Sequence, residues 1–155
     1  MCLGIALAWS ELPKELVERH GLERRLHDRG GEAEARFLYR DGSPMLPVWS
    51  DGRLRIVHWG NGRGRSRVLP RTGWTWSETV QNGGWRDLDA AFVDIPATFG
   101  LERGVWYRIR QGIRGVLVPD ERGQAVCYMI CEPASHYYHV MTRSDRMPVL
   151  IDERI

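Results

Sequence analysis

Alternating apolar and polar positions run through most of this chain and predict strands more often than helices. "CLGIALAW" at 2–9 opens it as an apolar run of strand length. Leu12, Leu16, Val17, Leu22 and Leu26 then recur at helical spacing. They predict a helix from Ser10 to about His27, broken at Gly21, with Ser10 as N-cap and Glu11 at the positive end of its dipole. "RGGEAE" reads as a loop. Beyond it the signals become those of strands: "ARFLYR", a "DGSP" turn, "MLPVW", an "SDG" turn and "RLRIVHW". "GNGRGRSRVLPRTG" holds too many glycines and arginines for a packed element and reads as a basic loop. "WTWSETV" is expected as a strand, "QNGG" as a turn and "WRDLDAAF" as a short helix. "VWYRIRQGIRGVLV" reads as two short strands around "QG", and "QAVCYMIC", "HYYHVMT" and "MPVLID" as three more. With no internal repeat and no linker, the pattern predicts one α+β domain over residues 1–155. Its core is a β-rich mixed, barrel-like sheet with a few short helices.

Composition narrows the class. At 155 residues the chain is long enough to close a single core, and 43% apolar with 27% charged residues fits a folded protein. No apolar run approaches the ~20 residues of a membrane span, so no membrane partner is expected. The start lacks the basic region of a signal peptide, and the cysteine count is odd (Cys2, Cys127, Cys131), so a reducing cytoplasm is expected. Net charge is only +2, yet its distribution is uneven: 21 of the 22 basic residues are arginine, Lys14 being the exception. Six of them (Arg53, Arg55, Arg63, Arg65, Arg67, Arg71) fall between 53 and 71 with no acidic residue.

Three constellations bear on chemistry. Cys127 and Cys131 on one strand would lie roughly 13 Å apart at ~3.3 Å per residue, too far for a disulfide and too loose for a zinc pair. Both read as core residues, and neither a metal nor a cofactor is expected. His58, His136 and His139 lack a partner at ligand spacing and either pack or line a site. The stretch around Arg63, Arg65, Arg67 and Arg71 is flanked by Trp49, Trp59, Trp74 and Trp76. Guanidiniums neutralise phosphates and indole faces stack unpaired bases, which points to single-stranded nucleic acid. A solvated loop beside core tryptophans fits the same composition equally well.

Three pieces in order carry a resemblance: "MC" at the start, "LPVWSDGRLRIVHWG" in the middle and "SDRMPVLI" near the end. Together with "SETV" at 77–80 and "GVWY" at 104–107, they resemble the SOS-response-associated peptidase family. The resemblance implies a β-rich α+β fold with a basic groove for single-stranded DNA and a thiol autopeptidase activity, and the chain is taken as a monomer. It also implies that the N-terminal cysteine, exposed by methionine removal or self-cleavage, crosslinks to abasic sites. The α-amine adds to the aldehyde as a Schiff base and the thiol closes a thiazolidine, with free pKa values of ~8 and ~8.5. Cys2 matches the nucleophile, Arg146 the phosphate-contacting arginine, and Trp59 the tryptophan near the bases. Three positions depart from the pattern. The family's histidine falls on Ser144, its glutamate on Tyr107 or Arg108, and its asparagine on Trp74. The chain also stops soon after "RMPVLID", as a shortened member would. The expectation is therefore a first strand inside the barrel-like sheet and Cys2 close to Trp59 and Arg146. A binding module that kept the fold and lost the acid–base residues is the alternative.

Overall fold

The apolar run at the start of the chain forms β1 (Gly4–Ala8) in the computed structural model, which describes residues 2–155. β1 lies at the centre of a five-stranded sheet, antiparallel to β3 (Glu32–Leu38) on one side and β8 (Phe99–Glu102) on the other. β2 (Leu26–Arg29) and β9 (Val105–Arg108) complete the order β2-β3-β1-β8-β9. Ile5 and Leu7 meet Phe37 and Ala35 across the ladder, and all four are buried.

The other sheet closes on itself. β10 (Gly112–Pro119), β7 (Ala91–Pro96), β4 (Met45–Ser50), β5 (Arg53–Trp59) and β11 (Ala125–Pro133) pair in that order. β11 then pairs back onto β10, making a five-stranded barrel. Two of its seams are thin. β4 and β7 meet only at Trp49 and Asp94, and β5 runs parallel to β11 over only His58 and Trp59. The far half of β11 takes β6 (Trp74–Trp76) in parallel and β12 (Arg146–Pro148) antiparallel.

β11 is thus the spine, and its sequence explains why. "VCYMIC" is apolar at every position, as a strand buried on both faces must be. Cys127 and Met129 join the main core, which runs continuously under both sheets. Val126, Tyr128 and Ile130 face a smaller core with Leu69, Trp85 and Val116. Each such side chain contributes ~1.5–3 kcal/mol by leaving water.

Several elements differ from the sequence expectation. The first strand is not in the barrel: β3 and β8 flank it in the neighbouring sheet. The long first helix is α1 (Lys14–His20), with Pro13 rather than Ser10 at its N-cap. Proline has no amide to give a helix interior, so the helix starts after it and Ser10 falls in a 3-10 turn. Gly21 ends it in the left-handed region (φ 60°) as expected, and Leu26 already belongs to β2, making "RGGEAE" a hairpin. Only Trp74–Trp76 of "WTWSETV" is strand; Ser77–Gln81 is α2. "HYYHVMT" is α3 (His136–Thr142), because Ser135 caps it by accepting from the Tyr138 amide at 3.1 Å. At "WRDLDAAF" a single 3-10 turn stops at Asp89 (φ 55°), and the rest opens β7. No helix is long and apolar enough to cross a membrane among the described residues.

Candidate functional site

The basic loop 60–73 is a built structure. Gly60 opens it at φ 63°, where an added Cβ would stand 2.3 Å from the Thr72 carbonyl oxygen, so only glycine lets the two stems close. The Asn61 amide donates to Thr72 O at 2.9 Å across that neck. Inside, the buried Asn61 side chain is a clasp: Nδ2 donates to Ser66 O and Leu69 O at 3.0 Å, and Oδ1 accepts from the Ser66 amide at 2.9 Å. Leu69 is sunk in the smaller core and the Tyr128 hydroxyl donates to Pro70 O at 2.7 Å. On the outer side the Arg67 amide and the Ser66 hydroxyl hold the exposed Glu121 carboxyl down to about 2.

Between this loop and the barrel mouth lies a cavity of about 690 Å³, inside the ~300–1,000 Å³ range of ligand sites. Its apolar wall is a cluster of Tyr39, Trp59 and Trp74, with ring centroids 5.2, 4.5 and 6.1 Å apart. The Trp59 Nε1 donates to Gly73 O at 3.1 Å, so the indole is fixed from both ends. Arg40, Arg63, Arg65, Arg71, Arg122 and Arg146 line the rest, with Asp120 the acidic member. Asp120 is already engaged: it accepts from the Arg122 and Gln124 amides at 2.9 Å and sits 3.6 Å from the Arg122 guanidinium. Arg40, Arg63, Arg65 and Arg71 make no salt bridge with any described carboxylate. Arg146 lies over the Trp76 ring at 5.4 Å. His58, also on the wall, is held below its ordinary pKa of 6.5 by burial and by Arg65 and Arg122, against the pull of Asp120.

Cys2 stands behind this wall. Trp74 Nε1 donates to the Cys2 carbonyl at 3.1 Å while Trp74 itself lines the cavity. Cys2 is 1% exposed, and its thiol donates to Gly4 O at 3.0 Å. Burial pushes its pKa up, and a hydrogen bond with the Tyr107 hydroxyl offsets part of that rise. Tyr138 from α3 donates to Tyr107 at 3.3 Å. The buried Glu102 carboxylate adds its charge to both Cys2 and Tyr138, raising each. Burial likewise drives the Tyr107 hydroxyl well above 10, so it stays protonated at neutral pH.

The sequence-predicted residues therefore separate into groups. Trp59, Arg63, Arg65, Arg71 and Arg146 converge on the cavity, whereas Arg67 is exposed and outside its lining. Cys2 reaches Trp59 through Trp74, which contacts both. Of the departed positions, Tyr107 and Trp74 touch Cys2 directly. Ser144 does not supply an imidazole; its hydroxyl donates to Arg146 O at 3.0 Å. The imidazole near it is His139, 3.2 Å from Asp145 and 3.3 Å from Ser144 O. Cys131 lines the cavity while Cys127 is core, and no described group of His, Cys, Asp and Glu is placed to hold a metal ion. Arg40, Arg122, Glu102 and Tyr138 were missed by the sequence reading. Arg40 and Arg122 sit in turns beside polar residues, and the other two lie in strand or helix patterns that read as scaffold. The fold and cavity define a small α+β protein with a cationic, aromatic cleft beside a sealed cysteine. Comparison with protein-family models, curated proteins and solved structures gives no significant match.

Proposed function

We propose that this protein binds single-stranded DNA in the cavity and captures the aldehyde of an abasic site at Cys2 when that residue heads the chain. The observation that carries the binding is the set of Arg40, Arg63, Arg65 and Arg71, cationic and without carboxylate partners, around the faces of Tyr39, Trp59 and Trp74. Uncompensated guanidiniums suit phosphates, and the aromatic wall suits an unpaired base. The proximity of Trp74 to Cys2 supports the capture, as does the family resemblance carried by "MC" and "RMPV".

The chemistry balances without a further reactant. The Cys2 amine adds to the aldehyde carbon and water leaves, giving an imine. The sulfur then adds to that carbon, the C=N π pair becomes a bond to hydrogen on nitrogen, and the thiol proton ends there. Amine and thiol share one residue, so both steps are intramolecular once the DNA is bound, and effective molarities of ~10⁵ M or more are available.

The second reading is a binding module without the covalent step. It is favoured by the sealed thiol, with its raised pKa, and by the phenol Tyr107 as its hydrogen-bonding partner. One experiment separates the two. Protein beginning at Cys2, verified by mass, is incubated with single-stranded DNA carrying one abasic site and run on a denaturing gel. The expected result is a shifted band that Cys2→Ala lacks and that Cys2→Ser shows only after reduction of the Schiff base. Identical gels for wild type and Cys2→Ala leave the binding module. Absence of binding to any single strand at low salt rejects both.

A further inference from the structure

We infer that the bound strand continues from the cavity over the 41–44 turn into a second basic groove, which contacts its flanking phosphates. The inference rests on the cavity binding single-stranded DNA and extends that site. The second groove, about 360 Å³, is lined by Arg24, Arg25, His27, Arg36 and Asp41, with Arg36 already paired to Glu34 at 2.9 Å. It shares Ser43 with the cavity, so the two basins meet at one residue.

The turn between them is braced from both sides. Asp41 accepts from Arg25 at 2.7 Å on the groove side and from the Leu38 amide at 3.3 Å. On the cavity side Arg63 donates to the Asp41 carbonyl at 3.4 Å. Gly42 and Ser43, both small and exposed, form the saddle. Arg24 makes no salt bridge with a described carboxylate, and Arg25 spends one nitrogen on Asp41. The two basins adjoin at Ser43, and a flexible single strand is a polyanion that can reach across both. A duplex is stiff and wide, whereas a single strand bends across a saddle of this kind.

Gly42 offers a clean perturbation. An added Cβ there meets nothing within 4 Å, so Gly42→Glu sets a carboxylate on the saddle without disturbing the fold. Fluorescence anisotropy is read with oligothymidylates of about 4 and about 16 nucleotides, which bracket the site sizes of such grooves. The longer oligomer should show a log–log salt slope steeper by about 0.7 for each extra phosphate neutralised. Arg24→Ala should remove about 0.7 of that slope for the long oligomer and none for the short one. Gly42→Glu should weaken the long oligomer roughly tenfold by like-charge repulsion and spare the short one. Equal slopes for the two lengths in wild type, or variants that weaken both lengths equally, overturn the second groove and leave the cavity standing. Wild-type protein that binds neither length overturns the cavity reading and this inference with it.

Discussion

Asn61→Ala removes the clasp of the arginine loop and leaves every guanidinium in the sequence. Three hydrogen bonds go: two from Nδ2 at 3.0 Å and one to Oδ1 at 2.9 Å. At ~1 kcal/mol net for each, and with the Ser66 amide left buried and unpaired, the expected loss of folding stability is ~2–4 kcal/mol. With a urea slope of ~2 kcal/mol per M, the midpoint falls by roughly 1–2 M at unchanged slope. The loop also loses its preset shape. Re-fixing the backbone of even one residue on binding costs ~1–2 kcal/mol, so affinity for single-stranded DNA drops about tenfold under conditions where the variant is folded. Asn82→Ala is the control, because Asn82 is exposed at the end of α2 and should change neither quantity. A stability change for Asn61→Ala within ~0.5 kcal/mol together with unaltered affinity would refute the clasp.

Three further outcomes are expected. Tyr107→Phe deletes the hydrogen bond that offsets burial of the Cys2 thiol, so the pH profile of Cys2 alkylation, followed by mass spectrometry, moves to higher pH; an unmoved profile contradicts the contact. Burial raises the Glu34 carboxyl, but hydrogen bonds and charge from Arg29 and Arg36 outweigh it and leave the pKa below 4.5. The unfolded chain therefore takes up this proton first as pH falls, so the stability from the Arg29–Glu34–Arg36 set is present above that value and lost through the lower folded value. Urea midpoints should decline on acidification, and less steeply in Glu34→Gln. His58 is also depressed, below 6.5, among Arg65, Arg122 and Asp120. Its contribution to folding is present above 6.5 and lost as pH falls, while a phosphate in the cavity favours its protonated form. Binding should thus strengthen below that pH in wild type, and His58→Gln should flatten the dependence.

Where one physical signal dominated, the fold was legible. The segments 35–40, 45–49 and 53–59 became β3, β4 and β5 because each is rich in apolar and β-forming side chains and has turn residues at its ends. Segments with competing signals were not. Leu26 continues a helical spacing but pairs with Ala35 in a hairpin, and only that long-range partner decides its conformation. "HYYHVMT" reads as a strand by aromatic content, yet one hydroxyl at Ser135 turns it helical. At the site, the arginines and tryptophans of 59–76 were visible as composition. Arg40, Arg122 and Glu102 became visible only when β-pairing brought distant turns together.

β1 acquires its two partners at different times during synthesis. β3 follows closely, but β8 begins only at Phe99, and it supplies the Leu101 carbonyl that holds the Leu3 amide at 2.8 Å. At about 5–20 residues per second the ribosome needs roughly 3–12 s to pass from the one partner to the other. Throughout that interval Leu101, Trp74 and Tyr107 do not yet all surround Cys2. A nascent chain thus offers its second residue to processing enzymes as an open end of a half-built sheet, and the finished protein offers the same residue under a tryptophan. The proposed capture, which needs Cys2 at the head of the chain, is therefore best served by trimming during synthesis, and a pulse-labelled chain trimmed only after release would contradict this order.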